Sequence, residues 1–209
     1  WWFWFKERTL NGKFQGANHI DFKDSVTLYT VTHELTMTSY TVDIQESKKF
    51  KYLRYLSGTD GYCNIAEVKF YTDNDDNPLK GDIIGTEGSF RNDPSRTKKS
   101  VFDNDLYSFY DAKEANGAWA GISLEKPQKV TKIYYLFRND DNNIRIGDTY
   151  ELMYWSEAGK WESTGIIIAD KEQLTYKDIP SGTLYLLHNH SRGNEERIFT
   201  YENCTQIWW

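Results

Sequence analysis

Two carboxylates and a hydroxyl lie close together in the stretch KKSVFDNDLYSFYDA, residues 98–112. Asp103 and Asp105 are two positions apart, and Ser108 follows three positions later. Carboxylate and hydroxyl oxygens are the ligands that a hard cation such as Ca²⁺ takes in proteins. The same residues also suit a polar turn in which the Asp side chains accept hydrogen bonds from nearby backbone N–H groups. The stretch therefore indicates either a cation-binding loop or a self-capped turn.

Catalytic residues are harder to place. Cys63, His190 and Asp140 could form a triad, but Cys63 is the second residue of the segment YCNIAEVKF, which is typical of the entry to a core strand. A Cys in such a position is usually inert. Paired acids are plentiful, but glycoside hydrolysis requires a separation between two carboxyl groups that a sequence does not show. The chain has no G-x-S-x-G, H-E-x-x-H or Gly-rich phosphate loop. We therefore expect this chain not to be an enzyme.

The composition narrows the class of partner. The 209 residues carry a formal net charge of -6, with basic residues scattered among acidic ones, so no broad cationic face for nucleic-acid phosphates is evident. Apolar residues come in short clusters, none of which approaches the roughly 20 residues of a membrane-spanning helix. The opening WWFWF has no preceding basic region and is a poor signal peptide. Cys63 and Cys204 fit either one disulfide or two free thiols. We expect neither a nucleic-acid partner nor a transmembrane segment.

The elements that must position these residues are predicted to be strands. Short segments rich in Val, Ile, Tyr, Phe and Thr alternate with turn residues, and no stretch longer than about ten residues keeps a 3.6-residue period. In AWAGISLE, Trp119 and Gly121 share one face, while Ala120 and Ile122 share the other. TKIYYLF, TYELMYW, TGIIIA and TLYLL are segments of similar length. The sequence predicts an all-β fold, either a sandwich or a jelly roll.

The domain boundaries are predicted from one polar stretch and from one internal repeat of the sequence pattern, which we call the echo. Residues 73–83 form a polar stretch with Pro and Gly, which we interpret as a linker. Segments on its two sides recur in the same order and share the pattern E-x-x-F, which begins at Glu67 and at Glu196. Such a repeat indicates one supersecondary unit used twice, and chance similarity between two β-rich segments is the alternative. We predict a partial β module at residues 1–72 and a sandwich at residues 84–209.

Several motifs carry a resemblance to a known family. GTEGSF, KKSVFDNDLYSFYDA, GAWAGISLEKPQKVTKIYYLFRNDD and GDTYELMYWSEAGKWE follow one another within residues 84–202. In this order they resemble the galactose-binding-like β-sandwich shared by discoidin domains, coagulation-factor type C domains and bacterial carbohydrate-binding modules. The whole chain also resembles the C-terminal regions of secreted or surface proteins of gut Bacteroidetes. The resemblance implies a jelly-roll sandwich, a secreted, periplasmic or cell-surface location, and a further domain upstream in the same polypeptide.

The resemblance also implies a structural Ca²⁺ site. In the family, the loop that corresponds to VFDNDLYSFY usually reads F-D-G-[DN]-x-x-T-x-[WFY] and often holds calcium beside the binding loops. Carried over, Asp103 and Asp105 would supply carboxylate oxygens, Ser108 would stand at the Thr position, and Glu196 would close the site. Asn104 replaces the usual Gly, which is tolerable because Asn enters positive φ more readily than most residues. The ion would fix the loop and would catalyse nothing.

Ligand-binding residues are predicted in polar loops. A sugar site needs an apolar ring face for C–H groups and planar polar side chains for hydroxyls. The loop FRNDDNNIRIGD lies between two predicted strands, and the loops GSFRND and LHNHSRGNEE match binding loops of the family. The predicted ligand-binding residues are Phe90, Arg91, Arg138, Asn139, Asp140, Asn142, His188, His190 and Arg192. For each of them, the alternative is a structural role in ion pairing, strand capping or packing.

These features favour a non-catalytic carbohydrate-binding module that holds an attached enzyme or the cell surface at a glycan. Two alternatives stay open. A docking or scaffolding module would predict a large apolar patch, formed for example by WWFWF and the terminal IWW. A fragment of a glycan-active hydrolase would predict two close carboxyl groups with perturbed pKa values in one pocket.

Overall fold

The computed structural model describes residues 6–33, 39–73, 77–139, 144–196, 198–203 and 205–209. Within these residues the chain forms β-strands and short 3-10 helices, which confirms the predicted all-β class. Asp140, Asn142, Cys204 and the opening WWFWF lie outside the described residues. Among the described helices, none is long and apolar enough to cross a membrane. The chain divides into two compact units, Trp1–Asp141 and Asn142–Trp209.

Eight strands form the first unit. They are β1 (Lys13–Ala17), β2 (Val26–Thr30), β3 (Tyr40–Asp43), β4 (Lys49–Leu56), β5 (Ile65–Tyr71), β6 (Asp82–Gly85), β7 (Trp119–Lys129) and β8 (Lys132–Phe137). Five of them make one sheet in the order β2, β1, β4, β7, β6, and three make another in the order β3, β8, β5. All of these pairings are antiparallel.

The two sheets share one hydrophobic core, which gives the first unit a sandwich-like architecture. Phe14 on β1 is fully buried, and its ring centroid lies 5.0 Å from that of Tyr55 on β4 and 4.9 Å from that of Tyr135 on β8. Tyr135 and Phe137, both on β8, make an edge contact at 5.4 Å. Tilted and edge-on ring contacts of this kind add to the stabilisation from burying the aromatic surface. The aromatic side chains of the sequence therefore fill the space between the two sheets.

Strand β7 shows how the alternating pattern sets the layers. Ala120 and Ile122 are buried in the shared core, whereas Trp119 is half-buried on the opposite face. Gly121 lies between β4 and β6 in the sheet, and a Cβ atom at this position would come within 2.2 Å of the carbonyl oxygen of Leu53. The glycine is thus required by the close approach of β4 and β7.

The compact units do not follow the predicted linker at residues 73–83. Strand β4 precedes this stretch and β7 follows it, yet the two strands pair from Lys49↔Lys129 to Leu56↔Trp119. Strands β5 and β8 pair across it in the same way. The division falls at residues 141–142 instead. The physical reason is that long-range strand pairing, which a local composition signal does not contain, interleaves the segments on both sides of the polar break.

A single antiparallel sheet forms the second unit. Its strands are β9 (Thr149–Trp155), β10 (Trp161–Ile168), β11 (Tyr185–Asn189), β12 (Asn194–Glu195), β13 (Phe199–Glu202) and β14 (Thr205–Trp208). Their order is β10, β9, β11, β13, β14, and β12 pairs with β11. The core contains Leu152, Tyr185 and Phe199, with the rings of Tyr185 and Phe199 stacked at 5.5 Å. The predicted segments TYELMYW and TLYLL contain β9 and most of β11.

Candidate functional site

The loop that carries Asp103 and Asp105 follows the short helix Lys98–Phe102 in the first unit. Asp103 Oδ1 accepts a hydrogen bond from the backbone N–H of Asp105 at 2.8 Å, and Asp105 Oδ1 accepts one from Tyr107 N–H at 3.0 Å. Asn104 between them has a φ of +63°, as expected for the position where the family has Gly. The hydrogen bonds of a self-capped turn are therefore present. They use Oδ1 of Asp103 and leave its Oδ2 for other contacts.

Three acceptor oxygens lie within hydrogen-bonding distance of the Ser108 hydroxyl. Its Oγ lies 2.8 Å from Asp103 Oδ2, 3.1 Å from the carbonyl oxygen of Ser100 and 3.2 Å from the carbonyl oxygen of Asp105. A Ser hydroxyl has one hydrogen to donate, so it satisfies one of these acceptors at a time. The oxygens of Ser100, Asp103 and Asp105 are thus brought together around this hydroxyl. That donor set is of the kind that Ca²⁺ takes.

Glu67 on β5 adds a buried carboxylate beside this loop. It is 1% exposed, and its Oε2 atom has no hydrogen-bond partner among the described residues. Burial raises the pKa of Glu67 to about 7, and the charge of Asp103 acts in the same direction. The charge of Lys69 and the backbone N–H groups of Asn104 and Val68 oppose that shift. An unsatisfied buried carboxylate oxygen is costly, and a bound cation would satisfy it.

Glu67 was missed as a candidate, although the sequence held a signal for it. The echo E-x-x-F occurs at Glu67 and at Glu196, and the family pattern was carried over onto Glu196 alone. Glu196 belongs to the second unit, where its backbone N–H donates to the carbonyl oxygen of Leu187 at 2.9 Å. Within the first unit, the carboxylate of Glu67 interacts electrostatically with Asp103. The first copy of the echo therefore places an acid beside the Asp103 loop, and the assignment of Glu196 to a cation site stays a prediction.

A cavity of about 250 Å³ lies next to Glu67. Leu79, Phe102 and Ile122 give it an apolar lining, and Asn104 joins it to the Asp103 loop. Among the described residues that line it, Glu67 is the one carboxylate. The two facing acids of a glycoside hydrolase are therefore not found in this cavity.

Asp111 organises a second cluster of polar side chains, at one end of the sandwich. Its backbone carbonyl accepts from Phe90 N–H at 2.7 Å, and its own N–H donates to the carbonyl oxygen of Arg96 at 3.1 Å. Its carboxylate accepts from Asn64 Nδ2 at 2.9 Å and from Arg138 Nη1 at 3.4 Å. The Nη1 atom of Arg96 is 4.0 Å from the same carboxylate. One buried residue thus ties together loops that follow β4, β6 and β8.

Phe109 makes cation–π contacts with two of these arginines. The guanidinium carbon of Arg138 is 4.2 Å from the centroid of the Phe109 ring, and that of Arg96 is 5.1 Å from it. Cation–π contacts of this kind hold long side chains in place over a ring. The side chain of Arg138 is largely buried, whereas that of Arg96 is 40% exposed. Arg138 is therefore the inner, positioned arginine of the cluster, and Arg96 is the outer one.

Phe90 and Arg91 lie in the exposed part of the same end. Phe90 is 40% exposed, and the guanidinium of Arg91 lies 5.2 Å from its ring. Arg91 and Asn92 both have a φ of +56°, a conformation that is uncommon for residues other than glycine. Tyr62 and Cys63 in the neighbouring loop also have positive φ. Strained backbone of this kind concentrates at functional sites.

Asn139 is brought to this region but is not exposed. It is 2% exposed, and its Nδ2 atom donates to the carbonyl oxygen of Leu106 at 2.8 Å. Leu106 follows Asp105, so this bond joins the residue after Arg138 to the Asp103 loop. A buried amide in this position holds the loop, and it does not face solvent as the predicted ligand contact would.

The remaining predicted residues belong to the second unit. The rings of His188 and His190 lie 4.5 Å apart, as expected for residues two apart on one side of a strand. His190 Nε2 is 2.7 Å from Glu151 Oε2, and His188 Nδ1 is 3.7 Å from a Glu195 oxygen. Arg192 Nε donates to Asp148 Oδ2 at 2.8 Å. Each of these groups has a carboxylate partner within its own unit, which is the structural role weighed as the alternative to ligand contact.

The described residues contain no group of three or more His, Cys, Asp or Glu side chains that could hold a metal. The Asp103 loop differs from such a group because carbonyl and hydroxyl oxygens make up most of its donor set. Comparisons of the chain with protein-family models, with curated proteins and with solved structures gave no match.

Proposed function

We propose that this chain is a non-catalytic carbohydrate-binding module, built on a galactose-binding-like jelly-roll sandwich of the discoidin type, that holds an attached domain or a cell surface at a glycan. The observation that carries the proposal is the set of contacts made by Asp111, which places Phe90, Arg96 and Arg138 around one end of the sandwich. Loops held by a rigid scaffold are where binding residues collect. A location outside the cytoplasm and an upstream domain of the same polypeptide belong to this proposal.

The chemistry of this end suits a sugar. Phe90 supplies an exposed ring against which the C–H face of a sugar can stack. Arg91 and Arg96 supply donors for hydroxyl oxygens, and their planar groups are positioned by rings at 5.2 and 5.1 Å. Asp111, which is buried, bonds to the backbones of Phe90 and Arg96. An aromatic platform beside fixed polar groups is what recognition of a hydroxylated ring requires.

The contacts of the acids support a binding role over a hydrolytic one. The carboxylate of Asp111 accepts hydrogen bonds from Asn64 and Arg138. Its oxygens are thus already engaged by groups of the chain. Glu67 has a raised pKa, but the cavity beside it offers no second acid among the described residues.

A structural Ca²⁺ ion belongs to the same proposal. Asp103, Ser108 and Glu67 would hold it through their side chains, and Ser100 and Asp105 would do so through their carbonyl oxygens. When bound, the ion neutralises converging carboxylates and fixes the loop. Since Asn139 bonds to Leu106 within that loop, an ordered loop also orders the backbone beside Arg138.

The test is a glycan array probed with the calcium-loaded chain, followed by calorimetric titration of any sugar that is retained. Phe90→Ala is expected to weaken binding about fivefold through loss of stacking. Ile20→Ala is the matched control, because Ile20 is also an exposed apolar residue of the first unit, at 62%, and makes no part of the Asp111 cluster. Failure of the folded chain to retain any glycan would contradict the proposal.

A docking module is the second candidate, and the edge strand β10 favours it. Ile166 and Ile168, two apart on this strand, are 60% and 67% exposed. Exposed apolar residues on a strand edge are a common site of protein contact. The docking role predicts that Ile166→Lys with Ile168→Lys releases an upstream domain supplied as a separate chain, without changing sugar binding. Retention of that domain by the double variant would count against docking through β10.

A further inference from the structure

Arg54 on β4 lies on the outer face of the five-stranded sheet. Its neighbours Leu53 and Tyr55 belong to the hydrophobic core, so alternation along the strand turns Arg54 away from that core. Across the sheet, Arg54 is paired with Gln15 on β1 and with Gly121 on β7. A Cβ atom at Gly121 would come within 2.9 Å of the Arg54 Cβ. The glycine therefore leaves room for Arg54 on this face.

Three side chains hold the Arg54 guanidinium in one orientation. Its Nε and Nη2 atoms both donate to Gln15 Oε1, at 2.9 and 2.8 Å. Its central carbon lies 4.0 Å from the centroid of the Phe22 ring and 5.4 Å from that of Trp119. Gln15 and Phe22 are themselves buried. The group is therefore oriented before any ligand arrives.

The charge of Arg54 is not neutralised by an acid within the described part of the chain. The acceptor of its two hydrogen bonds is a neutral amide oxygen. Asp82 on β6 lies on the same face by register, but it is exposed and makes no ion pair with Arg54. Burial lowers the pKa of Arg54, and no acidic group opposes that shift. A half-buried guanidinium in this situation is stabilised by a counterion.

The hydrogen bonds to Gln15 use one edge of the guanidinium and leave its end. The planar group has five N–H donors, one on Nε and two on each of the two Nη atoms. Two of the five donate to Gln15 Oε1, and Nη1 has no hydrogen-bond partner among the residues that the structure describes. One hydrogen of Nη1 and the second hydrogen of Nη2 run parallel at the end of the group. This end fork matches the two oxygens of a carboxylate.

The same face of the sheet offers apolar surface beside Arg54. Trp119, two positions from Gly121 on β7, is half-buried, and its ring contacts both the guanidinium and the Phe22 ring. Tyr52, two positions from Arg54 on β4, is also half-buried, and its ring centroid lies 6.4 Å from that of Phe22. An inorganic anion would leave this ring surface uncovered. An organic carboxylate would cover part of it while its oxygens accept from Arg54.

We propose that Arg54, Gln15, Phe22 and Trp119 form a second ligand site, which binds a small organic carboxylate with an apolar body. The carboxylate accepts two hydrogen bonds from the end fork of Arg54, and the apolar body packs on Trp119. Gln15 and Phe22 act as positioning residues, because they hold the guanidinium. This site goes beyond the glycan binding proposed above and is independent of it, since none of its residues belongs to the Asp111 cluster.

The experiment is a titration of the full chain followed by two-dimensional NMR, in which the side-chain N–H signals of Arg54 and Trp119 report on the site. Phenylacetate is the probe, phenylacetamide is its neutral isostere, and sulfate is an oxyanion without an apolar body. We expect phenylacetate to shift both signals in a saturable way. The amide is expected to bind about tenfold more weakly, because it lacks hydrogen bonds between two charged groups. Sulfate is expected to bind more weakly than phenylacetate.

Variants separate the charge of the site from its geometry. Arg54→Lys is expected to lose most of the affinity for phenylacetate, because Lys keeps the charge but lacks the planar fork. Gln15→Glu places a carboxylate of the chain beside the guanidinium and is expected to weaken phenylacetate binding about tenfold by supplying the counterion internally. Lys126→Gln removes an exposed positive charge elsewhere on β7 and is the control, with wild-type affinity expected.

Four results would overturn the proposal. Equal affinity for phenylacetate and phenylacetamide would rule out recognition of the carboxylate, and sulfate binding as tightly as phenylacetate would rule out the apolar body. Wild-type affinity in both Arg54→Lys and Gln15→Glu would place the bound probe elsewhere. If no probe gives a saturable shift at Arg54 or Trp119, Arg54 serves only to hold Phe22 on the sheet. None of these results bears on glycan binding at the Asp111 cluster.

Discussion

The carboxylate of Glu67 on β5 and that of Asp103 at the end of the helix Lys98–Phe102 act on each other electrostatically. Glu67 is buried with one oxygen unpartnered among the described residues, and the charge of Asp103 adds to the effect of burial in raising its pKa to about 7. A bound cation or a bound proton reduces the repulsion between two nearby carboxylates. The stability of this region is therefore expected to depend on both calcium and pH.

Calcium is expected to raise the melting temperature of the wild-type chain. A ligand that binds only the folded state at 100 times its dissociation constant stabilises by about 2.7 kcal/mol. Asp103→Ala and Glu67→Gln are each expected to reduce or abolish this response, because each removes a carboxylate from the donor set. Thermal unfolding with added Ca²⁺ and with chelator measures the effect.

Glu125→Gln is the control for the calcium experiment, because Glu125 is an exposed acid on β7 outside the loop. It is expected to respond to calcium as the wild type does. If chelator leaves the wild-type melting curve unchanged, the Asp103 loop is the self-capped turn and holds no ion.

The calcium-free chain is expected to lose stability as pH rises between about 4.5 and about 7. The folded-state pKa of Glu67, about 7, lies above the ordinary value of 4.5, so the folded chain binds the proton more tightly than the unfolded chain does. The associated stability is fully present below pH 4.5 and is lost as pH rises through 7. A shift of this size corresponds to roughly 3 kcal/mol.

Glu67→Gln isolates that pH dependence from the other titrating groups. The difference in unfolding free energy between wild type and variant, measured by urea titration in chelator at several pH values, is expected to change in this window and to be flat above it. A difference that is constant from pH 4.5 to 7 would show that Glu67 does not titrate there.

Strand positions could be predicted from the sequence because they depend on neighbours along the chain. TYELMYW became β9 with the expected ends, and the alternation in AWAGISLE placed Ala120 and Ile122 in the core. The pairing of these strands could not be predicted in the same way. Residues 73–83 have the composition of a linker, yet Leu79 donates its N–H to the carbonyl oxygen of Phe70 at 2.7 Å. A polar loop within a unit and a linker between units have the same local chemistry.

The candidate site was predictable in part for the same reason. Asp103, Asp105 and Ser108 lie within six residues of one another, so their convergence is a local property. Asp111 was not singled out, because its role depends on Asn64 and Arg138, which are 47 and 27 residues away along the chain. A carboxylate that organises distant loops has no local signature to distinguish it from other acids.

Gly121→Ala is expected to destabilise the first unit by about 1–3 kcal/mol, the usual cost of overpacking. The added Cβ would lie 2.2 Å from the Leu53 carbonyl oxygen and 2.9 Å from the Cβ of Arg54, so β4 and β7 would have to separate. Chemical denaturation measures the change.

Ser123→Ala, two residues along the same face of β7, is the control and is expected to stay near wild type. Equal stability of Gly121→Ala and wild type would mean that the sheet accommodates the methyl group by a shift of β4.

The Glu151–His190 pair is expected to stabilise the second unit at neutral pH and to stop doing so in acid. The hydroxyl of Ser163 and the ring of His190, 2.7 Å away, lower the pKa of the Glu151 carboxyl. A lowered folded-state pKa contributes stability that is present above the ordinary value of 4.5 and is lost as pH falls through the folded-state value. Glu151→Gln is therefore expected to melt at a lower temperature than wild type at pH 7, and by a smaller margin at pH 3. Glu157→Gln, at an exposed turn after β9, is the control and is expected to match wild type at both pH values. A deficit in Glu151→Gln that persists unchanged at pH 3 would assign the contribution of Glu151 to packing between β9 and β11 and not to its charge.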